Sequence, residues 1–167
     1  RTFTDENGND VVKNAGCVDY KISADGLTYT FYLREEAKWS DGEPIVAQNY
    51  VDSWLRLINA ENAFPYAELA LGIAGAEAYY NGEGAIEDVA VKAVDDYTLE
   101  CTLAAPDSSF LKKVNMVVFY PVRLDLIEAA EANGGNWTND YTLHVFSGPF
   151  VISDRVLENN MTLTKNE

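Results

Sequence analysis

The sequence has a single histidine, two cysteines and twelve Lys and Arg against twenty-seven Asp and Glu. Each shortage removes a class of function. One His cannot build a His-rich metal site, and two Cys cannot by themselves make a structural zinc site or a disulfide scaffold. A net charge of −15 over 167 residues repels phosphate backbones and anionic membrane surfaces, so nucleic acid is not an expected partner. No apolar run approaches the roughly 20 residues that span a bilayer. No GxSxG elbow, phosphate loop, HExxH or GxGxxG appears, and no catalytic residue, metal ligand or cofactor is assigned.

What is present describes a folded chain. The hydrophobic fraction is 47% and the aromatic fraction 12%, with ten Tyr, seven Phe and three Trp, far from a disordered composition. Leu27, Tyr29, Phe31 and Leu33 recur at period two after the turn Ser23-Ala24-Asp25-Gly26. With Tyr20 and Ile22 before that turn, they predict a hairpin with one buried face. Tyr50, Val51, Trp54, Leu55 and Ile58 fall at spacings of three and four, which predicts a helix over 47–59. Pro65-Tyr66 is expected to open a short helix, since Pro suits a first turn. A second hairpin runs through Val89, Val91 and Ala93, the turn Asp95-Asp96, then Tyr97, Leu99, Cys101 and Leu103. Further helices are expected over 106–114 and 124–132, the latter stopped by Asn133-Gly134-Gly135. Strands are expected at 150–153 and 161–164. Hairpins and helices without βαβ alternation make the fold class α+β.

The chemistry-bearing groups have modest readings. Cys17 and His144 could be cast as a thiol–imidazole pair, but nothing in the sequence brings them together. Cys101 falls on an inward strand face. The two thiols leave open a Cys17–Cys101 disulfide of the kind secreted chains carry. Glu35-Glu36 and Asp95-Asp96 read as turn residues rather than an acid–base pair. The run Asp5 to Asp10 looks like a calcium loop, but its Gly comes too early and the twelfth position lacks a Glu. Trp54 lies on a core stripe, and Trp39 reads as packing its loop down. Asn136-Trp137-Thr138 and Asn160-Met161-Thr162 fit the glycosylation acceptor pattern.

A collinear series of motifs adds a resemblance. Leu27 to Arg34, then Ala37-Lys38-Trp39-Ser40-Asp41-Gly42-Glu43-Pro44, then Asn49-Tyr50-Val51-Asp52-Ser53-Trp54 resemble the strand, K-W-S-D-G-x-P loop and helix of the family-5 extracellular solute-binding proteins. These are the oligopeptide-binding components of ABC importers. Phe64-Pro65-Tyr66-Ala67 resembles the family's S-P-Y-A. Val91 to Glu100 resembles its V-K-A-x-D-D-x-T-L-E hairpin, Phe119-Tyr120-Pro121-Val122 its F-x-P-V, and Ser147-Gly148-Pro149-Phe150 its N-G-P-F. Val46 stands where the family has a Thr helix cap, and Ser147 where it has Asn or Thr.

The resemblance implies a type II periplasmic-binding-protein-like fold, with antiparallel hairpins and packed helices. Residues 1–121 would form the smaller lobe, and 122–167 would start the return into the first lobe. It implies a fragment of a longer binding protein, not an enzyme. That protein would be a monomer without cofactors, outside the cytoplasm in the periplasm or as a cell-surface lipoprotein of a bacterium. Its partners would be an oligopeptide ligand and the transmembrane permease subunits. Tyr66, whose family counterpart faces the ligand, is the implied ligand-binding residue. Dipeptides, oligosaccharides or nickel complexes are alternative ligands within the family. A lobe of a carbohydrate-active enzyme is the alternative from another class.

Overall fold

The computed structural model describes residues 2–12, 14–135 and 137–166, so Asn136 of the first glycosylation pattern lies outside the described residues. The chain forms two compact units, residues 1–34 with 46–122 and residues 35–45 with 123–167.

The first unit begins with the hairpin β1 (Thr2–Thr4) and β2 (Asp10–Val12). Its turn is closed by the Asp5 carboxylate, which accepts the backbone N–H groups of Asn7 and Asn9. The carboxylate of the calcium-like run is thus used by its own turn.

A four-stranded antiparallel sheet follows, in the order β3 (Cys17–Ile22), β4 (Thr28–Leu33), β6 (Thr98–Thr102), β5 (Val91–Asp95). Both predicted hairpins are there, and β4 pairs with β6 in the middle, Phe31 opposite Leu99 and Tyr29 opposite Cys101. The period-two pattern decides the inner face: Tyr29, Phe31, Leu33, Val91, Leu99 and Cys101 are buried, and Thr28, Thr30 and Tyr32 are half-buried on the other side. On that outer face Lys92 pairs with Glu100 directly across β5 and β6. Edge strand β3 departs from the pattern. Tyr20 and Ile22 sit opposite Phe31 and Tyr29, yet they remain exposed. The covering helix lies across β5 and β6, toward the opposite edge of the sheet from β3.

That helix is α1 (Ala47–Leu57). It lacks a side-chain cap at Val46, and two other groups serve its start. The Val46 N–H donates to Asn49 Oδ1 at 3.0 Å. The orphan N–H of Ala47 donates to the Asp96 carbonyl, at 2.7 Å, in the β5–β6 turn. The apolar stripe faces the sheet, with Val51, Trp54, Leu57 and Ile58 buried. Trp54 meets Phe119 and Phe110 edge-on, with ring centroids 5.3 and 6.5 Å away. Its indole N–H donates to the Phe119 carbonyl at 2.9 Å. Ser53, the one buried polar residue on the described helix, donates to Asn49 O and accepts from the Val122 N–H at 2.7 Å.

After α1 the chain makes single 3-10 turns at Ala60–Asn62 and Ala67–Leu69. A short helix α2 (Ala76–Tyr80) is followed by another 3-10 turn at Ile86–Asp88. Residues 72–74 are stitched to the end of β6 through Ala74 N–H to Thr102 O and Ala104 N–H to Gly72 O, both 2.9 Å. The helix expected over 106–114 is confined to α3 (Phe110–Lys113). Asp107 takes the preceding stretch into a turn, accepting from the Ser109 N–H and hydroxyl and pairing with Lys113 Nζ at 2.7 Å.

In the second unit, residues 37–44 fold back on themselves, with Lys38 bridged to Pro44. The Ser40 N–H donates to Phe146 O, and Ser40 Oγ accepts from the Phe146 N–H. Helix α4 (Leu124–Ala132) runs to Asn133 and to Gly134 at φ +70°, as the Asn-Gly-Gly stop predicts. Arg123 grips Asp125 through two nitrogens and Asp41 through a third, all at 2.7–2.8 Å. This clips the 37–44 loop to the start of α4. Trp39, Ile45, Ile127 and Ala130 are the buried residues among those described in this unit. The hairpin β7 (Phe150–Val156) and β8 (Asn160–Lys165) completes it, with Phe150, Met161 and Leu163 exposed.

Two measurements check this packing. Gly75 has φ +80°, and a Cβ there would meet the Asp88 carbonyl, whereas Gly82, at φ +74°, faces open space. Gly75→Ala is expected to cost about 3 kcal/mol or more and Gly82→Ala about 1 kcal/mol in chemical denaturation. The Lys113 and Ser109 hydrogen bonds hold the Asp107 carboxyl at about 2, below the ordinary 3.8. Its contribution is therefore complete above about pH 5 and is lost progressively as pH falls through 3.8 toward about 2. Asp107→Asn should lose about 1 kcal/mol at pH 7, after discount for solvent screening. The melting temperatures of variant and parent should converge near pH 2.

Candidate functional site

The segment between α1 and the buried Ala67 presents the candidate ligand contact. The end of α1 is closed by Asn59, whose side chain accepts from the Glu61 N–H at 3.0 Å. Asn62 Nδ2 donates back to the Arg56 carbonyl at 3.0 Å. Ala63 then takes a left-handed conformation, φ +48°, and Tyr66 another, φ +68°. The sequence expects Pro65-Tyr66 to open a short helix, with Pro65 in its first turn, and so places Tyr66 within it. Tyr66 stands instead just outside the 3-10 turn, with its carbonyl accepting from the Leu69 N–H at 3.1 Å. Beyond it the chain is rooted by Ala67, Ala70 and Ile73, which are 3, 1 and 2% exposed, whereas Tyr66 is 55% exposed.

A left-handed backbone costs a non-glycine residue roughly 1–2 kcal/mol. The fold therefore holds an aromatic ring outward in an unfavourable backbone state, between two anchored flanks. Such a ring offers an apolar face and one hydroxyl that can donate or accept, a contact that tolerates varied partners.

The other candidates are placed elsewhere. Trp54 and Trp39 are 3 and 5% exposed and are packing residues, not stacking platforms. Asp95 accepts from the Tyr97 N–H and closes the β5–β6 turn. His144 lies in the second unit, its Nε2 2.7 Å from Trp137 O and its ring 4.5 Å from the Trp137 ring. Cys17 lies in the first unit, where burial raises its thiol pKa, opposite to what an activated nucleophile needs. Among the described residues no group of three or more His, Cys, Asp and Glu is placed to hold a metal ion.

The sheet register corrects the disulfide reading. Cys17 pairs with Leu33 and Cys101 with Tyr29 on the two sides of β4. Two strand spacings across and four residues along put them roughly 16 Å apart. A disulfide needs Cα atoms within about 7 Å, and both thiols are free.

Residues 12–167 match the family described as bacterial extracellular solute-binding proteins, family 5 Middle. The chain belongs to that family.

It is 38% identical over 145 residues to the periplasmic oligopeptide-binding protein OppA of Escherichia coli, covering 85% of this chain and 26% of that protein. It is 34% identical over 148 residues to the dipeptide-binding protein DppE of Bacillus subtilis, covering 89% and 26%. Its fold matches Listeria monocytogenes OppA bound to peptide with a TM-score of 0.87 at 32% identity, over 99% of this chain and 32% of that one. The chain thus shares, in part, the type II periplasmic-binding-protein-like fold of such neighbours. It spans about a quarter of the length of the curated relatives it matches. No helix among the described residues is long and apolar enough to cross a membrane.

The thiols give a direct check. In denaturant without reductant, a thiol reagent should count two free Cys per chain. In the native state Cys101, whose pKa burial pushes up to about 12, should react far more slowly than Cys17. A count of zero would restore the disulfide.

Proposed function

We propose that this chain is part of an extracytoplasmic oligopeptide-binding protein that delivers peptides to the permease of an ABC importer, and that Tyr66 contacts the peptide. The observation that carries the reading is the exposed Tyr66 ring, held at positive φ on a loop rooted at both ends. The matches to OppA and DppE, named for oligopeptide and dipeptide binding, support the ligand class.

Binding peptides of many sequences calls for contacts that ignore side-chain identity. Main-chain hydrogen bonds, charge partners for the ligand ends and wet, roomy pockets meet that need. An aromatic face held in one place adds apolar contact without selecting a residue. Lobe closure around the ligand would supply most of the buried area, with no covalent step. Residues 1–121 are assigned to the smaller lobe and 122–167 to the start of the return into the first lobe. The boundary between compact units near Val122 supports that division, and residues 35–45 cluster with the later segment. The protein is assigned to the periplasm or, as a lipoprotein, to the cell surface of a bacterium. It acts as a monomer and without enzymatic activity.

The test is calorimetry on the full-length protein with a pool of random tri- to pentapeptides, then with its most enriched member identified by mass spectrometry. Tyr66→Ala should weaken binding about tenfold or more while leaving the melting temperature within a few degrees. Unchanged affinity would overturn the assignment of Tyr66. Failure of every peptide to bind would overturn the ligand class.

A further inference from the structure

One residue of α1 holds the Tyr66 loop twice, once by its side chain and once by its main chain. The Arg56 guanidinium lies over the Phe64 ring, 4.5 Å from its centroid. The Arg56 carbonyl accepts from Asn62 Nδ2 at 3.0 Å and from the Asn59 N–H at 3.3 Å. The loop is therefore tied to the helix on both sides of Ala63, the first of its two left-handed residues. Phe64 is half-buried against the core of the first unit.

Only Pro65 separates Phe64 from Tyr66. Proline fixes its own φ and restricts the residue before it to extended conformations. Little freedom is left between the stacked ring and Tyr66. On the other side Ala67 is 3% exposed. The backbone at Tyr66 is thus set by two anchors, Phe64 beneath Arg56 and the burial of Ala67. Ala67 is a small side chain in the core; the Arg56–Phe64 contact is the anchor with chemistry of its own.

We propose that Arg56 is a positioning residue for peptide binding: its guanidinium, stacked on Phe64, holds residues 62–66 so that the Tyr66 ring is presented to the peptide. The inference rests on the reading of Tyr66 as a ligand contact. Arg56 itself does not touch the peptide. A cation on an aromatic face suits this task better than a salt bridge, because it keeps the ring in one plane while both partners stay half-buried. Removing either partner frees the loop to relax from its unfavourable conformation. The ring is then lost from its place and not from the protein.

The experiment is a mutant cycle in the full-length protein. Affinity for the most enriched peptide of the pool is read alongside amide hydrogen exchange at residues 62–67. Arg56→Gln and Phe64→Leu should each weaken binding about 2- to 5-fold, the range of a partly exposed cation–π contact. They should also speed exchange in the loop while the amides of β4 and β6 stay protected. Combining the two should add little, since they remove one shared interaction. Arg56→Lys, which keeps a cation over the ring, should recover most of the affinity. In a Tyr66→Ala background, Arg56→Gln should have no further effect.

If Tyr66→Ala weakens binding and Arg56→Gln does not, positioning by Arg56 is overturned and the Tyr66 reading stands. An Arg56→Gln effect that persists in the Tyr66→Ala background also overturns it, because Arg56 would then act by another route. If Tyr66→Ala changes nothing, both readings fall together. Loss of protection in β4 and β6 would mark Arg56 as a general stability residue and overturn the proposal as well.

Discussion

The indole of Trp54 joins stretches of chain that the sequence keeps far apart. Its ring fills the space between α1 and the aromatic side chains of Phe110 and Phe119. Its N–H is spent on the Phe119 carbonyl. One residue earlier, the Ser53 hydroxyl bridges Asn49 O and the Val122 N–H. A buried indole or backbone N–H left without an acceptor costs roughly 1–3 kcal/mol, so these two bonds fix where the 110–122 segment can lie. Through the same helix, the Ala47 N–H is committed to the Asp96 carbonyl, which sets the start of α1 against the β5–β6 turn. The loop bearing Tyr66 leaves from the other end of this helix. Its position inherits that of α1, which is pinned at its first turn by the sheet and at its middle by Trp54 and Ser53.

Much of this was legible because the patterns are strong. The alternation at 27–33 and 97–103 specified two strands and their buried face, since a one-residue slip would have turned Tyr29, Phe31, Leu33, Leu99 and Cys101 outward. The helical stripe from Tyr50 to Ile58 and the Asn-Gly-Gly stop after Ala132 were equally direct. The failures have specific causes. Tyr20 and Ile22 alternate as well as their partners do, but an edge strand beyond the reach of the covering helix leaves them exposed. The helix expected over 106–114 is cut to four residues because Asp107 spends its carboxylate on Ser109 and Lys113 and makes a turn. Ser53 reads as a polar position on an amphipathic helix; its burial depends on Val122, whose approach no local pattern announces.

The candidate site divides in the same way. Tyr66 was found through the order of motifs around it, because a lone Pro-Tyr pair is compatible with an ordinary helix start. Its left-handed backbone was not readable. Local preference argues against it for an aromatic residue, and the arrangement exists only where tertiary anchors override that preference. Those anchors, Arg56 over Phe64 and the buried Ala67, lie on either side of the residue. Arg56 looks from sequence like a solvated position at the end of a helix. Its carbonyl and guanidinium give it two separate holds on one loop, which only the folded chain reveals.

Rigidity of this kind has a physical use in a binder that must accept many ligands. Specificity built from buried polar groups penalises each partner that fails to match them. A fixed aromatic face penalises very little, because any extended chain can lay apolar atoms or a peptide plane against it. What such a surface needs is to be ordered before the ligand arrives, so that binding does not also bear the entropy of ordering a loop. Holding Tyr66 in a backbone state it would not choose is one way to achieve that. The strain is carried by the folding energy of a well-packed first unit, and the ring is held outward before any ligand arrives.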